Sequence, residues 1–168
     1  MQLNMPVHLY QDLHRHLFAG DTEHVAFFRF DVHDAQAHMK ALDLLDAADY
    51  DRRTADHVGL DDRVRPRVIK WAWDAGDSLG EAHSHRFPAL ACLSPTDLAG
   101  LREWVPHMWW RLQDRPYFAL VFGPDSVDGL LWVTSPTDPV ALAGLVIGGA
   151  IVAATGLSLE GWRWICGR

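Results

Sequence analysis

Cysteine is scarce in this 168-residue chain: Cys92 and Cys166 stand far apart, with no Cys-x-x-Cys spacing. That excludes a disulfide framework and a zinc knuckle built from thiolates. Basic charge is in deficit as well, with 15 Lys and Arg against 22 Asp and Glu, for a formal charge of −7. A phosphate backbone is held mainly by basic side chains, so nucleic acid is not an expected partner. No repeat, low-complexity tract or long linker interrupts the chain, which favours one compact unit. Residues 1–6 lack the basic-then-apolar run of a secretion signal, and a reducing, cytoplasmic setting is the expectation.

What is plentiful is apolar bulk: 49% of residues are hydrophobic, including eight Trp and seven Phe. A chain of this size buries about two-thirds of its unfolded surface, so a single domain over 1–168 needs no staples. Residues 140–157 carry no charge, with Gly144 and Gly148 four apart, at the lower edge of the length that spans a bilayer. Gly148-Gly149 falls between Leu145-Val146-Ile147 and Ile151-Val152. That pattern predicts two buried strands around a turn rather than a membrane helix.

Periodicity predicts a mixed α/β chain of about three helices interleaved with six or so strands. Leu9, Tyr10, Leu13 and Leu17 share one helical face, with Pro6 in the first turn and Gly20 as the stop. The aromatic run 23–31 predicts a strand. Residues 37–50 fit neither period, because Met39, Leu42, Leu44 and Leu45 do not align on one face. A helix is expected over 61–76, ended by Gly76, and a short strand over 79–85. Leu98, Leu101, Val105, Met108, Trp109 and Leu112 mark a further helix, kinked or broken at Pro106. Residues 117–122 and 129–133 form a hairpin around the turn-rich loop 123–128.

The chemistry is concentrated in Gly80-Glu81-Ala82-His83-Ser84-His85-Arg86-Phe87-Pro88, followed by Ser94-Pro95-Thr96-Asp97. Residues two apart on a strand face the same side, so His83 and His85 can converge on one ion. Asp97, at the third position of the next helix, can approach as a third ligand, leaving one tetrahedral position open. Ser94-Pro95-Thr96-Asp97 is equally a helix start in its own right, with Ser as cap and an acid three residues on. Glu81 shares strand parity with both histidines and is a rival ligand or outer acceptor. His14, His16, His24, His33, His38, His57 and His107 read as surface or packing residues. Cys92 reads as buried filler, and Trp109, Trp110, Trp162 and Trp164 as core or a contact face.

These residues resemble the JAMM (JAB/MPN-plus) zinc metalloproteases, whose pattern is a Glu on an early strand, His-x-His-Pro, and then Ser-x-x-Asp. Here Glu23 heads the early strand, His83-Ser84-His85 follows, and Ser94-Pro95-Thr96-Asp97 completes the set. The resemblance covers about residues 7–133, leaving 134–168 as further strands or a helix packed on that unit. It departs in one loop: Arg86 and Phe87 stand between His85 and Pro88, and the gap to Ser94 is one residue longer. The implied fold is a mixed, curved sheet flanked by about three helices, JAB/MPN-like, with cytidine-deaminase-like layering.

The resemblance implies one Zn²⁺ per chain on His83, His85 and Asp97, lowering the pKa of its water towards ~7. It makes Glu23 the general base and Ser94 the donor to the oxyanion. Its bacterial branch cleaves after the C-terminal Gly of a ubiquitin-like protein, by deconjugation or precursor processing. Some members are encoded with E1-like and E2-like enzymes in anti-phage operons, and such proteins are the expected partners. Two alternatives stay open: a non-catalytic MPN scaffold, and a JAMM enzyme acting on a sulfur-carrier protein or small substrate.

Overall fold

The computed structural model describes residues 1–54, 58–87 and 89–167; His57 and Pro88 lie outside the described residues. Strand β1 (Gln2–Met5) leads into helix α1 (Val7–Leu17) and then a hairpin of β2 (Val25–His33) and β3 (Gln36–Leu44). A 3-10 turn at Ala47–Asp49 precedes a small ribbon, β4 (Tyr50–Arg53) with β5 (Val58–Leu60). Helix α2 (Val64–Ala75), β6 (Ser78–Ser84) and α3 (Pro95–Arg111) follow. The chain then forms β7 (Tyr117–Phe122), β8 (Val127–Trp132), β9 (Val140–Ala141), β10 (Gly144–Ile147), β11 (Ala150–Ala153) and α4 (Leu157–Ile165).

Nine strands make one curled, mixed sheet in the order β11-β10-β1-β3-β2-β6-β7-β8-β9. β1 runs parallel to β10 and β3, and β6 parallel to β7, while the other neighbours are antiparallel. Alternation along the central strands feeds two cores. In β7, Tyr117, Ala119 and Val121 enter one, and Phe118, Leu120 and Phe122 enter the other. A strand covered on both faces reads as an unbroken apolar run, as Tyr-Phe-Ala-Leu-Val-Phe does. Helices α2, α3 and α4 cover the first face through Val68, Leu101, Val105 and Trp162, and α1 covers the second through Leu13 and Leu17. Each such Leu contributes about 1.5–3 kcal/mol by leaving water. β6 is held between them, with Leu79 in the first core and Ala82 in the second.

Mixed α+β architecture and a curved sheet are therefore correct, while the element count is corrected to four helices and eleven strands among the described residues. The ambiguous stretch is β3, and its broken periodicity has a cause. Arg29 pairs with Ala41 but Phe30 with Met39, so Lys40 is an extra residue in a bulge. The bulge switches the inward parity from Ala37 and Met39 to Leu42, all of which pack into one core.

Helix α1 ends at Leu17, with Phe18 as its cap, rather than at Gly20, and α3 runs through Pro106 without a break. The Gly148-Gly149 turn does join two antiparallel strands, with φ of 56° and 85° that suit glycine. Burial is corrected for the second strand only: β10 buries Gly144 and Leu145, but β11 is an exposed edge, with Ile151 63% accessible. No helix among the described residues is long and apolar enough to cross a membrane. Asp128 belongs to β8 rather than to a loop. Its buried carboxylate accepts the Gly156 and Ser158 amides at 3.0 and 2.7 Å, anchoring the start of α4 from across the sheet.

Candidate metal centre

His83 sits near the end of β6, paired with Val25 of β2 and Val121 of β7. The His85 amide donates to the Phe122 carbonyl at 2.8 Å, one bond beyond the assigned end of the strand. Strand geometry thus persists long enough for both imidazoles to leave the same side of the chain. Ser84, between them, turns the other way and is fully buried, its Oγ accepting the His24 amide at 3.2 Å.

Asp97 arrives from the first turn of α3. The Ser94 Oγ accepts the Asp97 amide at 3.2 Å, and Asp97 Oδ2 accepts the Ser94 amide at 2.7 Å, a reciprocal capping box. Capping and ligation are therefore not competing readings of this tetrapeptide. The cap holds the Asp97 carboxylate against the two histidines.

The three facing atoms form a small triangle. His83 Nε2 lies 3.1 Å from His85 Nε2, and Asp97 Oδ2 lies 3.5 Å from the first and 3.3 Å from the second. For N and O ligands at usual first-row metal distances, the edge of a tetrahedron is about 3.3–3.5 Å. The two edges to Asp97 fall in that range, and the edge between the imidazoles is about 0.2 Å shorter, close to one face of such a site. These three residues are a group that could hold a metal ion, and the donor set of two imidazoles and a carboxylate suits one.

Electrostatics fit the same picture. Burial would lower the His83 imidazole, but the charge and hydrogen bond of Asp97, with Glu81 and Glu23 nearby, raise it above its ordinary value. Burial pushes the Asp97 carboxyl up, yet His83 charge and bonds from His83, His85 and Ser94 carry it far below the usual carboxylate range.

All five residues expected from the sequence, Glu23, His83, His85, Ser94 and Asp97, line one cleft of about 590 Å³. Glu23 is buried in its wall, two residues before β2 rather than on it, with its amide bonded to the Thr54 carbonyl at 3.0 Å. Glu81 lines the cleft too but stands outside the metal-ligand group. Burial raises its carboxyl, opposed by the Tyr117 hydroxyl that donates to Oε2 at 2.7 Å. That hydroxyl in turn accepts the Trp104 indole N–H at 2.8 Å.

Sequence reasoning missed Arg65 and Trp104 as cleft residues. Arg65 stacks on the Trp104 ring, 4.3 Å from its centre. The charged residue and the helix-spaced Trp carried no local pattern that distinguished them from surface and core.

The remaining histidines pack as expected where described: His16 against His24, His33 stacked on His38, and His14 between Tyr10 and Phe18. The tryptophans divide. Trp109 and Trp162 are buried, whereas Trp110 and Trp164 are exposed. Cys92 and Cys166 are free thiols, both half-buried, so the burial expected of Cys92 is only partial.

No known protein family matches the chain, and no curated protein matches it. Among solved structures it is similar to protein DSY2949 from Desulfitobacterium hafniense, determined in solution. The TM-score is 0.57 at 15% identity, over 88% of this chain and 94% of that one, a likeness of fold alone.

Proposed function

We propose that this chain is a JAMM-type zinc hydrolase that cleaves the peptide or isopeptide bond after the C-terminal Gly of a ubiquitin-like protein. One observation carries the reading: a three-donor triangle of metal-site dimensions shares its cleft with a buried glutamate and a serine hydroxyl. Zinc on His83, His85 and Asp97 would supply a positive charge and an acidified water at neutral pH.

The chain's own residues do the rest. Glu23 takes a proton from the attacking water and returns it to the departing amine, a contribution of about 10²–10⁴-fold. Ser94 uses one lone pair to cap α3 and keeps its hydroxyl proton for a second acceptor. Given to the developing oxyanion, that donor is worth about 3 kcal/mol. Val25, Val58, Leu60, Leu101 and Trp104 give the cleft an apolar wall beside the reacting groups. An extended substrate tail can enter this cleft as a strand, with main-chain bonds supplying affinity. E1-like and E2-like enzymes of a ubiquitin-like conjugation system, in antiviral defence, are the expected companions.

The test is incubation of wild type and Glu23→Ala with a ubiquitin-like protein encoded beside the gene, fused at its C-terminus to a reporter. Wild type releases the reporter after the terminal Gly, and a chelator stops it. Glu23→Ala lowers turnover by about 10²–10⁴-fold. Equal cleavage by both proteins removes Glu23 from this role.

A further inference from the structure

We infer that Arg86 is a positioning residue that fixes the loop bearing Glu23 against the loop bearing the metal-ligating histidines. The inference rests on the base role proposed for Glu23. Arg86 directly follows His85, and its Nε donates to the Thr22 carbonyl at 2.9 Å, across 64 positions of sequence. Thr22 directly precedes Glu23. One hydrogen bond therefore joins the residue after a ligand to the residue before the base.

The segment has other ties: the Glu23 amide itself donates to the Thr54 carbonyl at 3.0 Å, and the rest lie on its C-terminal side. His24 exchanges bonds with Ser84, donating its amide to Oγ at 3.2 Å and accepting the Ser84 amide at 3.2 Å. Val25 is held by the Tyr50 hydroxyl at 3.0 Å and by His16 at 2.9 Å. On the N-terminal side the Thr22 carbonyl meets Arg86 and, at 2.9 Å, the His24 ring. The His24 bond is local and moves with the loop. Arg86 alone, among the described partners of Thr22, reaches it from the ligand loop.

The guanidinium is also held by packing. It lies over the Phe18 ring, 5.7 Å from its centre, which limits where the head group can go. Its Nη2 is buried with no hydrogen-bond partner among the described residues.

The test uses Arg86→Ala and Arg86→Lys in the full chain, with amide hydrogen exchange, zinc affinity by chelator competition, and steady-state hydrolysis. In Arg86→Ala, amides of residues 23–25 exchange about tenfold faster, while β6 and β7 stay protected as in wild type. Zinc affinity stays within about threefold, because no ligand is touched, whereas loss of an outer bond to a ligand would cost about 10–100-fold. The kcat falls about 10²-fold with KM unchanged, as a displacement of about 1 Å in a reacting group demands. Arg86→Lys keeps the charge and stem and recovers part of both effects, which also serves if the Ala variant folds poorly.

Unchanged exchange at residues 23–25 in Arg86→Ala overturns the inference, whatever the substrate proves to be. Wild-type kcat in Arg86→Ala alongside loss of activity in Glu23→Ala overturns it as well, yet leaves the hydrolase reading standing. If Glu23→Ala keeps full activity, the hydrolase reading loses its base and the positioning role falls with it.

Discussion

Asp97 Oδ2 accepts the amide of Ser94 at 2.7 Å, and the same oxygen stands within 3.5 Å of both facing imidazole nitrogens. One atom thus starts a helix and completes a metal-ligand triangle. Asp97→Asn separates the two jobs, since an amide oxygen still accepts the Ser94 N–H but carries no charge. Stability should fall by no more than the ~1 kcal/mol typical of a damaged cap. Zinc affinity should fall by more than the ~10–100-fold that follows loss of an outer hydrogen bond to a ligand. Thermal unfolding of the ion-free protein and chelator competition measure the two effects. Unchanged zinc affinity would take Asp97 out of the ligand set.

Metal loading should depend on pH in a definite direction. The folded pKa of His83 is raised, so its contribution to ion-free stability is complete below the unfolded value of about 6.5 and is lost as pH rises through the folded value. The folded pKa of Asp97 is depressed, so its contribution is present above about 3.9 and is lost as pH falls towards the folded value. The ion-free pair therefore helps most between about pH 4 and 6.5. A metal needs the imidazole neutral and must displace its proton. The rise in Tm on adding zinc should then be larger at pH 8 than at pH 6. Equal increments at both would mean that zinc binds elsewhere.

The His-x-His pair and the Ser-x-x-Asp start were legible because strand parity and helix capping are local rules. His83, His85 and Asp97 meet largely because those rules hold. Glu23 was legible only through the order of a resembling family, since nothing around it distinguishes it from Asp21 before the chain folds. Arg65, Trp104 and Arg86 were not legible as site residues. Each reaches the cleft or its loops by crossing from another element, and no spacing encodes a contact such as Arg86 to Thr22. The exposed β11 escaped for a related reason: Ile151-Val152 has strand composition, but composition does not say which strand is the edge.

Tyr117→Phe tests the polar chain from Trp104 through Tyr117 to Glu81. It removes the donor to a half-buried carboxylate and the acceptor for an indole N–H without changing the shape of the ring. Leaving such groups unpaired costs about 1–3 kcal/mol. Burial already raises the Glu81 carboxyl, so the fold loses stability as pH climbs from the unfolded value towards the folded one. Without the Tyr117 hydroxyl, which opposes that shift, the penalty grows. The loss of stability in Tyr117→Phe should be greater at pH 8 than at pH 5, read by urea unfolding at both. A loss independent of pH would show that Glu81 does not titrate through this bond.

Gly80→Ala tests whether the site depends on how closely β6 lies against β2. A Cβ at Gly80 would run into the Phe28 ring, which is itself fully buried among Phe30 and Phe118. Overpacking of this kind costs about 1–3 kcal/mol. The strain falls three residues before His83, on the strand that sets both imidazoles against α3. Tm should therefore fall and zinc affinity with it, although no ligand has changed. Phe28→Leu makes room for the added methyl, so the double variant should be more stable than the sum of the two single losses. Strict additivity would place the origin of the Gly80→Ala effect outside the Phe28 contact.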